Sequence, residues 1–289
     1  MITVTFYKDE KLALGVKTDK GIFDVEAAAN GQAPTTVAEL IAQGEAGKRA
    51  LQDLVETNQG TDALFLEEDG LTFGPSVPAP QKIICVGLNY KRHADECNMP
   101  YPKEPIIFSK FANTLTAHNA DVKLPTKGKE FDYEAELVIV IGKEAKNVAK
   151  EDALSYVYGY TNGNDLSVRD LQFVSSQWLL GKTTDDFCPI GPYLVSDEHI
   201  DNPDHLSITL KRNGELRQNS NTSDLIFSCS EIISYISEHM TLVPGDIILT
   251  GTPEGVIMGD PEGQRDWLKP GDELQVEIEN LGTLTTYIK

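Results

Sequence analysis

FDYEAELVIVIG, residues 131–142, is the stretch of sequence that decides the fold. From residue 135 onward it is an apolar run rich in β-branched side chains, which is typical of a strand buried on both faces. Side chains alternate along a strand, so Glu134 and Glu136 share one face at the mouth of this strand. The stretch therefore predicts a buried strand that begins with a pair of carboxylates.

Most other signals on either side of this stretch also indicate strands. Residues 1–7 and 273–279 alternate between apolar and polar side chains, whereas helical patterns are confined to a few short segments around 36–43, 46–56 and 230–240. No GxGxxG or GxxxxGK[ST] motif and no regular βαβ alternation occurs, which disfavours a nucleotide-binding sheet. The chain is predicted to be α+β and β-rich.

A proline-rich segment, GPSVPAPQK at residues 74–82, marks a predicted domain boundary. Its three prolines prevent both a helix and a regular strand ladder. We therefore expect a small N-terminal domain over residues 1–77 and a larger domain over residues 78–289, each within the usual size of a domain.

The chain is strongly acidic, with 45 Asp and Glu against 25 Lys and Arg and a formal charge of −20. This charge argues against nucleic acids and anionic membrane surfaces as partners, because both are bound through basic side chains. No apolar stretch approaches a membrane span and no secretory leader is visible. The cysteines lack CxxC spacing, so free thiols in a cytoplasmic protein are expected.

The carboxylate pair predicts a site for a cation. Glu134 and Glu136 repel one another unless a cation lies between them, and an all-oxygen set suits a hard divalent ion. The turn in TNGNDLSVRD, residues 161–170, offers Asp165 as a third ligand. Asp132 shares the parity of the two glutamates but lies furthest from the apolar run, so it ranks below them. A polar strand end that faces solvent is the alternative interpretation.

A candidate acid–base pair lies in NYKRHADE, where Glu96 follows His93 by three residues. If this segment is helical, the two side chains meet on one face. A carboxylate on one imidazole nitrogen fixes the tautomer and leaves the other nitrogen as a base. An ordinary surface ion pair is the alternative.

Six motifs occur in an order that resembles the fumarylacetoacetate hydrolase family over residues 81–289. They are ICVGLNYKRHADE, YEAELVIVIG, GYTNGNDLSVRDLQ, GKTTDDFCPIGP, NGELRQNSNTSDLIFS and GDIILTGTPEGVIMGDP. The resemblance implies a mixed β-sandwich roll preceded by a small N-terminal α/β domain, and a homodimer. It also implies Mg²⁺ or Mn²⁺, with Ca²⁺ possible, bound by Glu134, Glu136 and Asp165.

The resemblance also implies roles for further side chains. The implied catalytic residues are His93, Glu96 and Lys182, and the implied substrate-binding residues are Arg169, Gln172 and Thr252, with Lys110 as a weaker candidate. One position departs from the family pattern: Asp186 adds an acid after Asp185 and is expected to alter the choice of substrate.

The implied function is that of a divalent-metal-dependent enzyme that acts on a small anionic 2-oxo acid through a metal-bound enolate. Hydrolysis of a C–C bond in an acylpyruvate-type substrate is the first expectation. Oxaloacetate decarboxylation, or isomerisation of the 2-hydroxyhepta-2,4-diene-1,7-dioate isomerase type or tautomerisation, are the alternatives. A non-enzymatic Ca²⁺-binding β-rich module is the alternative from a different class, and the His93–Glu96 pair argues against it because a structural ion needs no base beside it.

Overall fold

The computed structural model describes residues 1–29, 31 and 33–289. Its strands are β1 (Ile2–Lys8), β2 (Lys11–Thr18), β3 (Gly21–Asp24), β4 (Phe65–Leu66), β5 (Ile83–Gly87), β6 (Ile106–Lys110), β7 (Leu115–Thr116), β8 (Ala120–Val122), β9 (Phe131–Asp132), β10 (Ala135–Ile141), β11 (Val157–Asn164), β12 (Ser167–Val168), β13 (Cys188–Ser196), β14 (Ser207–Arg212), β15 (Glu215–Asn221), β16 (Ile247–Leu249), β17 (Glu273–Ile278) and β18 (Gly282–Ile288). Its α-helices are α1 (Val25–Ala28), α2 (Val37–Gln43), α3 (Glu45–Thr57), α4 (Lys91–Glu96), α5 (Arg169–Gln172), α6 (Leu179–Lys182) and α7 (Cys229–His239). The predicted β-rich α+β class is confirmed.

One large sheet runs through both halves of the chain. Its path is β4-β3-β2-β1-β13-β11-β10-β16-β5-β6, with β7 paired to β13 on the side. The join is the antiparallel pair β1–β13, in which Ile2 lies opposite Val195. The N-terminal strands therefore extend the same sheet that carries β10, and the boundary at residue 77 stays a prediction.

Strand β10 lies inside this sheet between β11 and β16, and all of its residues are buried. Its alternate side chains enter two different cores. Leu137 and Ile139 join the core formed with a second, five-stranded sheet (β15-β14-β17-β18-β8) and α7. Val138 and Val140 join the core that includes apolar side chains of α2 and α3. The two buried faces explain why β10 is continuously apolar rather than alternating.

Helices α2 and α7, which cover these cores, begin with side-chain caps that the sequence contains. Thr36 and Glu39 form a capping box at the start of α2, and Ser228 and Glu231 form one at the start of α7. Each box satisfies backbone N–H groups that the first helical turn leaves without partners. No helix in the described part of the chain has the length and apolar character needed to cross a membrane.

Candidate functional site

Three carboxylates converge where two paired strands of the large sheet end. Glu134 immediately precedes β10, Glu136 lies within it, and Asp165 directly follows β11, whose Asn164 is paired with Ala135. Carboxylate oxygens of the three acids lie within 4.8 Å of one another, and all three residues are buried. We call Glu134, Glu136 and Asp165 the carboxylate site. The sequence predicted these three residues together, and the structure brings them together.

Two lysines place ammonium groups against the carboxylate site. Lys182, at the end of α6, donates from Nζ to Glu134 Oε2 and to Asp165 Oδ2, both at 2.8 Å. Lys110, at the end of β6, donates to Asp165 Oδ1 at 2.5 Å and to the Leu166 carbonyl at 3.1 Å. Burial alone lowers the pKa of Lys182, but the charges of Asp165 and Glu134 outweigh burial and raise it. Lys182 therefore carries a positive charge within the site.

Arg169, on the short helix α5, connects the carboxylate site to Asp132. Its Nε donates to Asp132 Oδ2 at 2.9 Å, and its Nη1 donates to Gln172 Oε1 at 3.0 Å. Its Nη2 lies 2.7 Å from Glu134 Oε1 but outside hydrogen-bond geometry, so that contact is ionic. Asp132 also accepts from the backbone N–H of Ile257 and is not part of the carboxylate site. Its lower rank as a ligand agrees with this position.

The two glutamates at the mouth of β10 have opposite protonation tendencies. Burial raises the pKa of Glu134, but Lys182 and Arg169 outweigh it and lower the pKa to about 2. Burial, then Asp165 and Glu134, raise the pKa of Glu136 well above its usual value. Among the described residues no Lys or Arg forms an ion pair with Glu136, which accepts from the Gly251 N–H at 2.6 Å.

The donor set fits a divalent cation. Its atoms are carboxylate oxygens, the ligands that Mg²⁺, Mn²⁺ and Ca²⁺ prefer. Glu136 is buried and has no Lys or Arg partner among the described residues, and a divalent ion would supply the missing positive charge. Lys182 and Arg169 are both paired with acids here, so their charges alone do not make the local field positive. An excess of positive charge at this site therefore needs the metal.

The predicted acid–base pair lies on α4. His93 Nδ1 is 2.7 Å from Glu96 Oε1, because a spacing of three residues places both side chains on one helix face. Glu96 Oε2 accepts from the Gly255 N–H at 3.0 Å, which ties the pair to the loop after β16. His93 is buried and lines the same cavity as Glu134 and Glu136. The pair is therefore part of the site rather than a surface ion pair.

Thr252 is held in place by a residue that sequence reasoning missed. Gln218 Nε2 donates to Thr252 Oγ1 at 2.9 Å, and Gln218 Oε1 accepts from the Ala135 N–H at 2.9 Å. Gln218 thus links Thr252 to the backbone of Ala135, which lies between the two glutamates. The signal for Gln218 is alternation in β15, where Gln218 and Ser220 are buried on either side of the exposed Asn219.

The site opens into a cavity of about 60 Å³, which is room for a few water molecules or a very small ligand. Sequence reasoning also missed its apolar walls. Trp178 and Phe108 form them with edge-to-face rings whose centroids are 5.4 Å apart. A Cβ at Gly87 would lie 2.4 Å from the Trp178 ring, so this position needs glycine. Gln172, Thr252 and Lys182 line the same cavity.

Asp186 lies elsewhere. Its backbone adopts φ 62°, its N–H donates to the Asn113 carbonyl at 3.1 Å, and it lines a different depression together with His118. Asp186 is not among the described residues that line the cavity at the carboxylate site. An effect of Asp186 on substrate choice would therefore have to be indirect.

Comparison with known proteins agrees with the resemblance seen in the motifs. The family described as fumarylacetoacetate (FAA) hydrolase C-terminal matches residues 82–289. A mitochondrial oxaloacetate tautomerase, FAHD2B of Bos taurus, is 45% identical over 253 residues, which cover 87% of this chain and 79% of that protein.

Solved structures share the fold as well. A fumarylacetoacetate hydrolase from psychrophilic Exiguobacterium antarcticum aligns over 100% of this chain and 99% of its own, with TM-score 0.83 and 29% identity. A fumarylpyruvate hydrolase from Pseudomonas aeruginosa, in complex with Mn²⁺ and pyruvate, aligns over 75% of this chain and 91% of its own, with TM-score 0.66 and 34% identity.

Proposed function

Because the chain belongs to the fumarylacetoacetate hydrolase family and is an enzyme of that family, we propose that it interconverts the keto and enol forms of oxaloacetate. The observation that carries this proposal is the His93–Glu96 pair in one cavity with the carboxylate site. The 45% identity to a bovine oxaloacetate tautomerase supports the choice of reaction.

Keto–enol conversion moves one proton between C3 and the C2 oxygen of the substrate, so a single group can remove the proton and return it. With Nδ1–H donated to Glu96, the Nε2 atom of His93 is free to take the proton from C3. The same nitrogen, now protonated, gives the proton to the C2 oxygen. The pair needs no water and no second acid for this exchange.

Glu134, Glu136 and Asp165 would hold Mg²⁺ or Mn²⁺, with Ca²⁺ as the third candidate. When bound, the ion supplies Lewis-acid polarisation of the substrate oxygens and the positive charge that a dianion requires. Support comes from the fumarylpyruvate hydrolase structure, whose description names both Mn²⁺ and pyruvate.

Two side chains offer free donors for the substrate. Gln172 Oε1 accepts from Arg169, which leaves the Gln172 NH₂ group to donate into the cavity. Thr252 Oγ1 accepts from Gln218, which leaves the Thr252 hydroxyl hydrogen to donate. We propose these two donors as carboxylate-binding groups, Arg169 as the residue that positions Gln172, and Lys182 as the cation beside the reacting oxygens.

Hydrolysis of an acylpyruvate is the second candidate. The same imidazole nitrogen can take a proton from water, and the 34% identity to a fumarylpyruvate hydrolase favours this reaction specifically. Decarboxylation of oxaloacetate is also compatible with a polarised 2-oxo group. The three reactions differ in product. Tautomerisation gives the other form of the same molecule, hydrolysis splits the substrate into pyruvate and a second acid, and decarboxylation gives pyruvate and CO₂.

The test follows enol oxaloacetate by its ultraviolet absorbance after EDTA treatment and reloading with Mg²⁺, Mn²⁺ or Ca²⁺. Malate dehydrogenase reports the keto product, and lactate dehydrogenase reports pyruvate from oxaloacetate or from a panel of acylpyruvates. We expect metal-dependent loss of the enol without pyruvate. Metal-dependent pyruvate release from an acylpyruvate, with no effect on the enol, would select hydrolysis instead.

Variants separate the roles of the residues. His93→Gln is expected to lose turnover while Mn²⁺ binding persists, and His205→Gln, in an exposed loop, is the matched control with unchanged turnover. Full tautomerase activity in His93→Gln would contradict the proposed proton transfer.

A further inference from the structure

A second group of metal-ligating side chains adjoins the carboxylate site. His93, Glu96 and Cys97 each place one ligand atom within 4.8 Å of the others. Their atoms are an imidazole nitrogen, a carboxylate oxygen and a thiol sulfur, unlike the all-oxygen carboxylate site. Cys97 has no part in the proposed reaction.

The short helix α4 brings these three side chains to one face. Cys97 is the C-cap residue of α4 and keeps helical backbone angles, φ −80° and ψ 0°. Residues spaced by three and four along a helix are neighbours on its surface, so His93 faces both Glu96 and Cys97. Metal sites on helices commonly use this spacing of four residues between two ligands.

The group is accessible and one of its ligands is already anchored. Of the four cysteines, all of them described, Cys97 is half-buried and the others are buried. Cys97 lines both the cavity at the carboxylate site and a second depression that shares Met99 and Phe173 with it, so an ion from solvent can reach the Cys97 sulfur. Glu96 is held through Oε2 by the Gly255 N–H, and its Oε1, which is 2.7 Å from His93 Nδ1, would bind an ion that replaces this contact.

From this geometry we propose that His93, Glu96 and Cys97 form a site for a soft divalent ion, Zn²⁺ above all, that inhibits the enzyme. Nitrogen, sulfur and carboxylate oxygen are the ligands that Zn²⁺ prefers, and three of them leave a fourth position for water. Mg²⁺ and Ca²⁺ do not compete for a thiolate. Binding releases the thiol proton to solvent, because the thiolate is the ligand.

Inhibition follows from the identity of one ligand, and this part rests on the proposed function. An imidazole nitrogen bound to Zn²⁺ no longer accepts a proton, so His93 cannot exchange one with substrate. Zn²⁺ would thus stop the reaction while the carboxylate site still holds its own ion.

Co²⁺ is the probe for binding, because a thiolate ligand gives Co²⁺ a charge-transfer band in the near ultraviolet and carboxylates do not. Co²⁺ is titrated into the EDTA-treated full chain, into Cys97→Ser and into Glu136→Gln. We expect the band in the full chain and in Glu136→Gln, its absence in Cys97→Ser, and its loss when Zn²⁺ is added. Absence of the band in the full chain, or its persistence in Cys97→Ser, would overturn the site.

Zn²⁺ inhibition of the Mn²⁺-loaded enzyme tests the regulatory part. Each protein is compared with its own rate without Zn²⁺. We expect the Zn²⁺ concentration for half inhibition to rise at least about tenfold in Cys97→Ser, because even the outer partners of a metal ligand cost 10–100-fold in affinity. Equal inhibition of both proteins would overturn the inhibitory role. The Co²⁺ band needs no turnover, so failure of the proposed function leaves the binding test intact.

Discussion

The three acids of the carboxylate site and the adjacent Asp132 are all buried and face three cationic side chains. At the contact between α3 and the end of β13, by contrast, one lysine faces three acids that remain partly exposed. We call this second cluster the seam, and its members are Lys48, Glu45, Asp197 and Glu198. Both clusters carry more negative than positive charge. At the seam, water solvates the excess, but at the carboxylate site it cannot.

The difference shows what each cluster can do. Buried charge without a counter-ion costs several kcal/mol, so the carboxylate site has a strong electrostatic demand for a metal. Exposed ion pairs stabilise by only about 0–1 kcal/mol each. The seam can therefore help to hold the N-terminal segment on the sheet, but it has no comparable electrostatic demand for a metal ion. Substitutions that remove one charged side chain from each cluster test this contrast.

The largest effect is expected from Glu136→Gln. Loss of a ligand should weaken Mn²⁺ binding by more than about 100-fold, because even outer partners of a ligand cost 10–100-fold. Tautomerase activity should fall to the level of the EDTA-treated enzyme. Removal of a buried acid that lacks a cationic partner should not lower the free energy of unfolding without metal. Calorimetric Mn²⁺ titration and urea unfolding in EDTA measure both quantities.

The matched control is Glu277→Gln, an exposed acid on β17. It should leave Mn²⁺ affinity and unfolding unchanged. A strong loss of stability in metal-free Glu136→Gln would contradict this prediction. It would show that the Glu136 carboxyl group makes a stabilising contact in the folded protein even without metal.

Arg169→Met should give the largest loss of stability. It leaves Asp132 and Glu134 without their shared cation in a buried setting, which costs about 3–5 kcal/mol. The control Lys269→Met removes an exposed partner of Asp266 and should cost at most about 1 kcal/mol. Urea unfolding in EDTA compares the two variants, and equal losses would show that burial does not govern these ion pairs.

Local patterns predicted the carboxylates well because strand alternation depends on neighbouring residues alone. Glu134 and Glu136 follow from the period of β10. Asp165 was predicted to follow a turn in TNGNDLSVRD, but the residues before it, Gly163 and Asn164, belong to β11, and Asp165 directly follows that strand. Gln218 and Trp178 did not follow, because their roles depend on which distant strand or helix packs against the site.

The same limit applies to the fold. The strands β10 and β17 and the helix α2 were predicted from short patterns. The join of β1 to β13 was not predicted, because it pairs residues that are about two thirds of the chain apart and no local pattern specifies register between them. The seam depends on that join and could not be predicted either.

Lys48→Met tests the seam. Lys48 is itself buried, but its partners Asp197 and Glu198 are nearly half exposed, so the loss should be about 1 kcal/mol. Turnover should not change, and 1 M NaCl should reduce the loss in stability because salt screens exposed charges. Lys20→Met, in an exposed pair with Asp62, is the control with a smaller loss. A loss as large as that of Arg169→Met would remove the distinction between the two clusters.

The smallest effect is the pH dependence of the seam. Burial raises the pKa of Glu198, but hydrogen bonds from Lys48 and from the Met1 amino group outweigh burial and hold it well below the usual range. A depressed pKa contributes stability above the unfolded value of about 4.3 and loses it as pH falls through the folded value. The stability difference between the parent chain and Lys48→Met should therefore stay constant from pH 7 to about 5 and shrink below about 4.

Urea unfolding of both proteins across this pH range measures the difference between their free energies of unfolding. Effects of acid that are common to the two proteins cancel in this difference. Adding Glu198→Gln to each protein should remove most of the trend, because Glu198 is then no longer able to gain a proton. A difference that grows on acidification would mean that Lys48 is held by groups other than Glu198. In that case the exposure of Asp197 and Glu198 would not explain why the ion pairs of Lys48 stabilise the fold only modestly. The difference between the seam and the carboxylate site would then have a cause other than burial of the acids.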